Sequence, residues 1–209
     1  MLHAPPVTLS PHEAAAPAVP ARFAAAADAV RAVLDAHGRA GLVLSEVPAP
    51  RRLAPHALAV AAEVERDGEE VASGRFVVLH DPDGQEGWRG DTRVVSFVQA
   101  DVEPEMAADP ALAEVGWSWL SDALSGRGLR HTAAGGTVTR TVSVRFGQIS
   151  EPDEVSEVEI RASWTPLPAD GDGEDAPPDL AQHLLAFCDL LCATAGLPPP
   201  GVAALRPRA

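Results

Sequence analysis

Residues 58–79 constrain the fold more than any other stretch of this chain. Leu58, Val60, Ala62 and Val64 alternate with polar or small neighbours, the period-2 pattern of a half-buried strand. Asp67-Gly68 follows, a dipeptide suited to the two positive φ angles of a type I′ hairpin turn. Residues 71–79 then return as a second strand. The run Phe76-Val77-Val78-Leu79 is apolar throughout, which predicts an interior strand covered on both faces. A tight hairpin with one polar face calls for an antiparallel sheet, and its apolar face must be covered by something else.

The rest of the chain supplies that cover. Phe23, Ala26, Ala27, Val30, Val33 and Leu34 recur at helical spacing, predicting a helix over about 22–37 that stops at Gly38 and Gly41. A short strand is expected at 42–47, ended by Pro48 and Pro50. His80-Asp81-Pro82-Asp83-Gly84 reads as a turn, and 93–100 as a further strand. Asp109-Pro110 has the form of an N-cap and a first helical residue, with Leu112, Val115, Gly116, Trp119, Leu120 and Ala123 as the stripe behind it. Residues 137–146 and 155–165 alternate strictly and pair as a second hairpin. The apolar face of its second strand is Val158, Ile160, Ala162 and Trp164. A last helix is expected over about 179–195, with Leu180, Leu184, Phe187 and Leu191 inward. The predicted class is therefore α+β, an antiparallel sheet with flanking helices in the order α-β-β-β-β-α-β-β-α. Residues 1–20 read as a mobile Pro/Ala-rich arm, 21–197 as one domain with an acidic loop at 168–178, and 198–209 as a Pro-rich tail.

Composition narrows the chemistry. The net charge is −14, so a phosphate backbone is repelled and nucleic acid is not an expected partner. All 16 basic residues are arginine, and lysine, asparagine and tyrosine are absent. Without lysine there is no P-loop, no kinase-type ATP lysine and no Schiff base. Asp28, Arg31 and Asp35 break one apolar helix and His183 and Asp189 the other, so no membrane span is expected. Prolines interrupt the N-terminal stretch, which lacks a basic region, and the expected location is cytoplasmic. Cys188 and Cys192 lie four apart in the last helix, too few for a thiolate zinc site, and read as reduced core residues.

No catalytic pattern stands out. His80, Asp81 and Asp83 offer ligand chemistry but are read as turn residues. Asp170, Asp172, Glu174 and Asp175 lack the glycine and closing glutamate of a calcium loop. Glu103, Glu105 and Asp109 are read as helix-start residues rather than an acid–base pair. No metal, cofactor or catalytic residue is expected. The least ordinary residues are arginines. Arg140 stands on an otherwise apolar strand face. Arg145 and Arg161 face Glu157 and Glu159 as a cross-strand ion-pair ladder or as an anion site fringed by Trp164. Trp88-Arg89 is a second aromatic–arginine pair, of a kind common in interfaces. The candidate binding residues are thus Trp88, Arg89, Arg140, Arg145, Arg161 and Trp164.

Seven separated words of the sequence extend this reading. They are Leu53-Ala54-Pro55, Leu79-His80-Asp81-Pro82 and Glu103-Pro104-Glu105-Met106-Ala107. Glu114-Val115-Gly116-Trp117-Ser118-Trp119-Leu120 and Gly136-Thr137-Val138-Thr139-Arg140 follow. The last two are Glu159-Ile160-Arg161-Ala162-Ser163-Trp164-Thr165-Pro166 and Ala195-Gly196-Leu197-Pro198-Pro199. Together, over residues 22–205, they resemble the actinobacterial domain-of-unknown-function family 3000. That resemblance implies a single bacterial cytoplasmic domain and carries no activity, ligand or catalytic residue. The element order is also similar to type III secretion chaperones, an analogy of fold alone. The expected function is a non-catalytic binding or adaptor protein, as a homodimer or with another protein partner. The alternative is an enzyme or sensor acting on an anionic small metabolite through the arginines of the 137–165 hairpin.

Overall fold

The computed structural model describes residues 19–147, 155–173 and 176–198. The expected arm, apart from Val19 and Pro20, and the tail beyond Pro198 lie outside the described residues, as do Glu174 and Asp175 of the acidic loop. The elements run α1 (Ala21–Ala36), β1 (Leu42–Val47), β2 (His56–Arg66), β3 (Glu69–Gln85), β4 (Gly90–Asp101), α2 (Pro104–Ala108), α3 (Leu112–Gly126), β5 (His131–Ser143), β6 (Val155–Pro166) and α4 (Leu180–Thr194). The class is α+β. The strands form a six-stranded sheet of order β1-β2-β3-β4-β6-β5, and every pairing is antiparallel. Asp67 and Gly68 have φ of 56° and 89°, as the type I′ turn requires.

The pairing registers turn strand periodicity into core. Leu58, Val78, Val94 and Trp164 lie side by side across β2, β3, β4 and β6. Val60, Phe76, Ser96 and Ala162 make the next row, and Ala62, Gly74, Val98 and Ile160 the one after. All but Gly74 of these side chains are buried and face the helices. Helix α4 packs on β3 and β4, flanked by α1 and α3. It is buried nearly all round: Leu180, His183, Leu184, Ala186, Phe187, Cys188, Leu190, Leu191, Cys192 and Thr194 are enclosed. Phe187 meets Phe76 with ring centroids 5.7 Å apart. Gly74 makes room for that contact. A Cβ there would stand 2.7 Å from the Phe97 carbonyl oxygen and 2.9 Å from Phe187 Cζ. The opposite face of the sheet carries Arg75, Phe97, Glu159 and Arg161 and is largely open.

Several local expectations need correction. The turn after β3 is not at His80–Gly84. The strand continues to Gln85 through an irregular stretch in which Gly84 takes φ 71°, and the chain reverses at residues 86–89. Gln85 and Gly90 are register partners, so the tight Gly-rich turn won over the Pro-Asp one. Asp109 does not cap α3 as the residue before its first turn. A separate five-residue helix, α2, ends at Ala108, and Asp109 Oδ1 accepts the Ala111 N–H at 2.8 Å. In α3, Val115 is 41 % exposed, and Leu124 takes its place in the buried stripe. β3 is an interior strand, yet Arg75 is exposed and Val77 half-buried, so its second face is not covered throughout.

Candidate functional site

The β3–β4 turn, which holds Trp88 and Arg89, brings Arg89 to the rim of a cavity. Its geometry is anchored from both sides. Gln85 Nε2 donates to Asp81 Oδ2 at 3.2 Å, and the Trp88 N–H to the Gln85 carbonyl at 2.8 Å. The Thr165 hydroxyl of β6 donates to the Trp88 carbonyl. Trp88 itself is half-buried. The cavity measures about 360 Å³. Its walls are the first turns of α1 (Arg22, Phe23, Ala26), the ends of β3 and β4 (His80 and residues 89–92), the chain after β6 (165–168) and the approach to α4 (176–178 and Leu180).

Inside it lies a hydrogen-bond chain. Thr92 Oγ1 donates to Asp91 Oδ1 at 2.9 Å, and a hydroxyl has one proton to give. His80 Nδ1, 3.1 Å from the same Thr92 oxygen, must therefore be the donor in that contact. This assigns neutral His80 the Nδ1–H tautomer and leaves Nε2 as an acceptor with no partner among the described residues. His80 and Thr92 are each 7 % exposed. Phe23 stacks on the His80 ring at 5.4 Å and 11°, and His56 lies 6.1 Å away. Burial holds His80 below the usual imidazole range against the pull of Asp91. Arg22 and Arg89 line the same cavity, and among the described residues neither has an ion pair or a hydrogen bond. Most other arginines do. Arg31, Arg39, Arg127, Arg130 and Arg161 meet acids, while Arg66, Arg93 and Arg140 donate to carbonyl or hydroxyl oxygens.

The six residues singled out from sequence do not converge. Trp164 is fully buried on the helix side, where its indole N–H donates to His183 Nδ1 at 3.1 Å. Arg161 is on the other side of the same strand, 2.8 Å from Glu159, with its guanidinium 5.5 Å over the Phe97 ring. The ion pair thus runs along β6 rather than across the hairpin. Arg140 pairs in register with Val158, on the helix side, and donates to the carbonyls of Ala107 at 3.1 Å and Asp109 at 2.6 Å. It holds the end of α2 and lines none of the cavities described here. Arg145 lies beyond the end of β5 and is engaged. Of the six only Arg89 lines the cavity, and Trp88 precedes it in the same turn. Sequence reasoning missed Arg22, Asp91 and Thr92, and read His80 as a turn residue. Continuing the inward alternation of Phe76 and Val78 by one more step would have placed His80 inside. Among the described residues no three His, Cys, Asp or Glu side chains gather as a metal site.

No helix of the structure is long and apolar enough to cross a membrane. No curated protein and no solved structure matches the chain. One family model does match, over residues 19–203, nearly all of the folded chain: that of the DUF3000 family, described as proteins of unknown function. The chain belongs to this DUF3000 family.

Proposed function

We propose that this is a non-catalytic cytoplasmic binding protein whose ligand is a small anionic molecule held between Arg22 and Arg89. One observation carries the reading: two arginines without acid partners border the same cavity, in a chain whose net charge is −14. The field of the whole surface repels anions, so an anion retained here must be held by local groups. Guanidinium groups suit that role, since each can offer a carboxylate or phosphate two parallel N–H donors. The unpartnered His80 Nε2 would accept an N–H or O–H from the same ligand. Phe23 and Leu180 supply an apolar wall.

Thermal unfolding in matched ionic strength provides the test. Inorganic phosphate and citrate should raise Tm above a chloride control, as binding to the native state alone requires. The rise should vanish in Arg22→Gln and Arg89→Gln. Equal stabilisation of wild type and both variants would overturn the proposal. The Asp91–Thr92–His80 chain favours a second reading, an enzyme in which His80 Nε2 is a general base toward an anionic substrate. Turnover in a broad hydrolase and transferase screen, lost in His80→Gln, would replace the first reading with this one.

A further inference from the structure

We infer that a second, chemically opposite site lies at the other end of the helical layer: a groove that binds an organic cation of the guanidinium or alkylammonium class. The groove measures about 700 Å³ and lies between the C-terminal end of α4 and the start of α2. Asp101 and Glu103 line it, and Trp119, Met106, Val71 and Val102 give it apolar walls.

Three observations favour a cation. First, its carboxylates are uncompensated. Asp101 on β4 stands opposite Glu157 on β6, and Glu70 on β3 is close enough to act on it. None of Asp101, Glu103, Glu157 and Glu70 has an ion pair among the described residues. Burial and the charges of Glu157 and Glu70 hold the Asp101 carboxyl above its usual range, so a cation placed there would be favoured. Second, Ser156 lines the groove from the helix side of β6. It is 4 % exposed, and its hydroxyl has no hydrogen-bond partner among the described residues. A buried polar atom without a partner has affinity for a ligand that can supply one. Third, the carboxyl end of α4 forms one wall, where helix carbonyls favour positive charge. Arg66 demonstrates that preference: its guanidinium lines one end of the groove and donates to the Ala195 carbonyl. Trp119 adds an aromatic surface, the partner a guanidinium or ammonium prefers beside carboxylates.

Calorimetric titration of the full chain with agmatine tests this, with n-butylurea as a neutral probe of similar length. Agmatine should bind with Kd on the order of millimolar or tighter, and n-butylurea should not bind measurably. Asp101→Asn should weaken agmatine by about fivefold, and Ser156→Ala by about twofold. Glu63→Gln, which removes the same charge from an exposed position on β2, should change the affinity by less than about twofold. A capped arginine amide separates two sources of the same chemistry. Binding equal to agmatine identifies a side chain presented by a peptide, and binding about tenfold weaker identifies a free small cation. No agmatine binding at about 20 mM, equal binding of n-butylurea, or equal losses in Asp101→Asn and Glu63→Gln would overturn the inference. These outcomes are independent of the phosphate and citrate results at the Arg22–Arg89 cavity.

Discussion

Lowering the pH from 7 to 4 strikes the core at His183. This residue is 1 % exposed in the middle of the helical layer. Its Nδ1 accepts the Trp164 indole N–H at 3.1 Å, so the neutral ring carries its proton on Nε2, which has no partner among the described residues. A second proton would have to enter at Nδ1, where the indole N–H already points, and would place a charge in an apolar interior. Burial accordingly pushes His183 down from 6.5 to about 4. The sign follows from proton binding. Below about 6.5 the unfolded chain takes up the proton while the folded chain refuses it. Stability therefore falls as the pH drops from about 6.5 to about 4 and then levels off. At about 1.36 kcal/mol per pH unit, the full loss is about 3 kcal/mol. For a chain of this length that lowers Tm by roughly 6–12 °C. His37 and His80, also held low by burial, act in the same direction, and Asp101, held high, opposes them. His183→Asn isolates the contribution, because the amide oxygen can replace Nδ1 as acceptor and does not titrate. The variant should be less stable than wild type at pH 7 yet lose about 3 kcal/mol less between pH 7 and 4 in urea titrations. Parallel losses in the two proteins would refute the reasoning.

Four further outcomes are expected. Gly74→Ala should cost about 1–3 kcal/mol in denaturant unfolding, because the new methyl meets the Phe97 carbonyl and the Phe187 ring, and the backbone oxygen cannot swing away. Cys188 and Cys192, whose thiols burial pushes up to about 12 and about 11, should resist Ellman's reagent in the native protein and react fully in guanidinium. Asp189, 2.7 Å from Arg127 and 3.7 Å from Arg39 in a partly buried setting, should cost about 1–2 kcal/mol as Asp189→Asn. Asp170→Asn, which breaks the exposed Arg130 pair, should stay within about 0.5 kcal/mol of wild type by the same measurement.

The sheet was legible because its strands are long and one-sided. Leu58 to Val64 and Val158 to Trp164 each give a period-2 pattern over several residues, and Asp67-Gly68 specifies how the first hairpin closes. Helix α4 was legible from the helical spacing of Leu180, Leu184, Phe187 and Leu191, and the structure adds a cap, the Asp179 carboxylate accepting the Gln182 N–H at 3.1 Å. Helix α2 was not legible, because five residues make too little periodicity to register. The turn after β3 was misplaced because Pro82, Asp83 and Gly84 have turn chemistry. Tertiary pairing nonetheless carries the strand past them to Gln85 and Gly90. The burial of α4 on nearly every side was also out of reach, since it depends on α1 and α3 closing over it.

The candidate site failed in sequence for a reason that strand geometry already contained. Arg161 and Trp164 are three residues apart on one strand, so they face opposite sides of the sheet and cannot frame one ligand. Placing Arg140 needed one more fact, the β5–β6 register. It sets Arg140 beside Val158 and Arg161 beside Thr137, on opposite faces. The cavity that gathers Arg22 and Arg89 draws on five stretches spread between residues 22 and 180, so no spacing rule could have marked it. What distinguishes Arg22 and Arg89 is not their residue type, which 16 positions share, but that both border one cavity and neither has an ion pair or a hydrogen bond among the described residues. Arg31, Arg39, Arg127, Arg130 and Arg161 are each met by an acid of this chain. Arg22 and Arg89 are not, and because they border one cavity they are where the proposed anion is placed. That distinction is a property of neighbours in space, and only the fold supplies it.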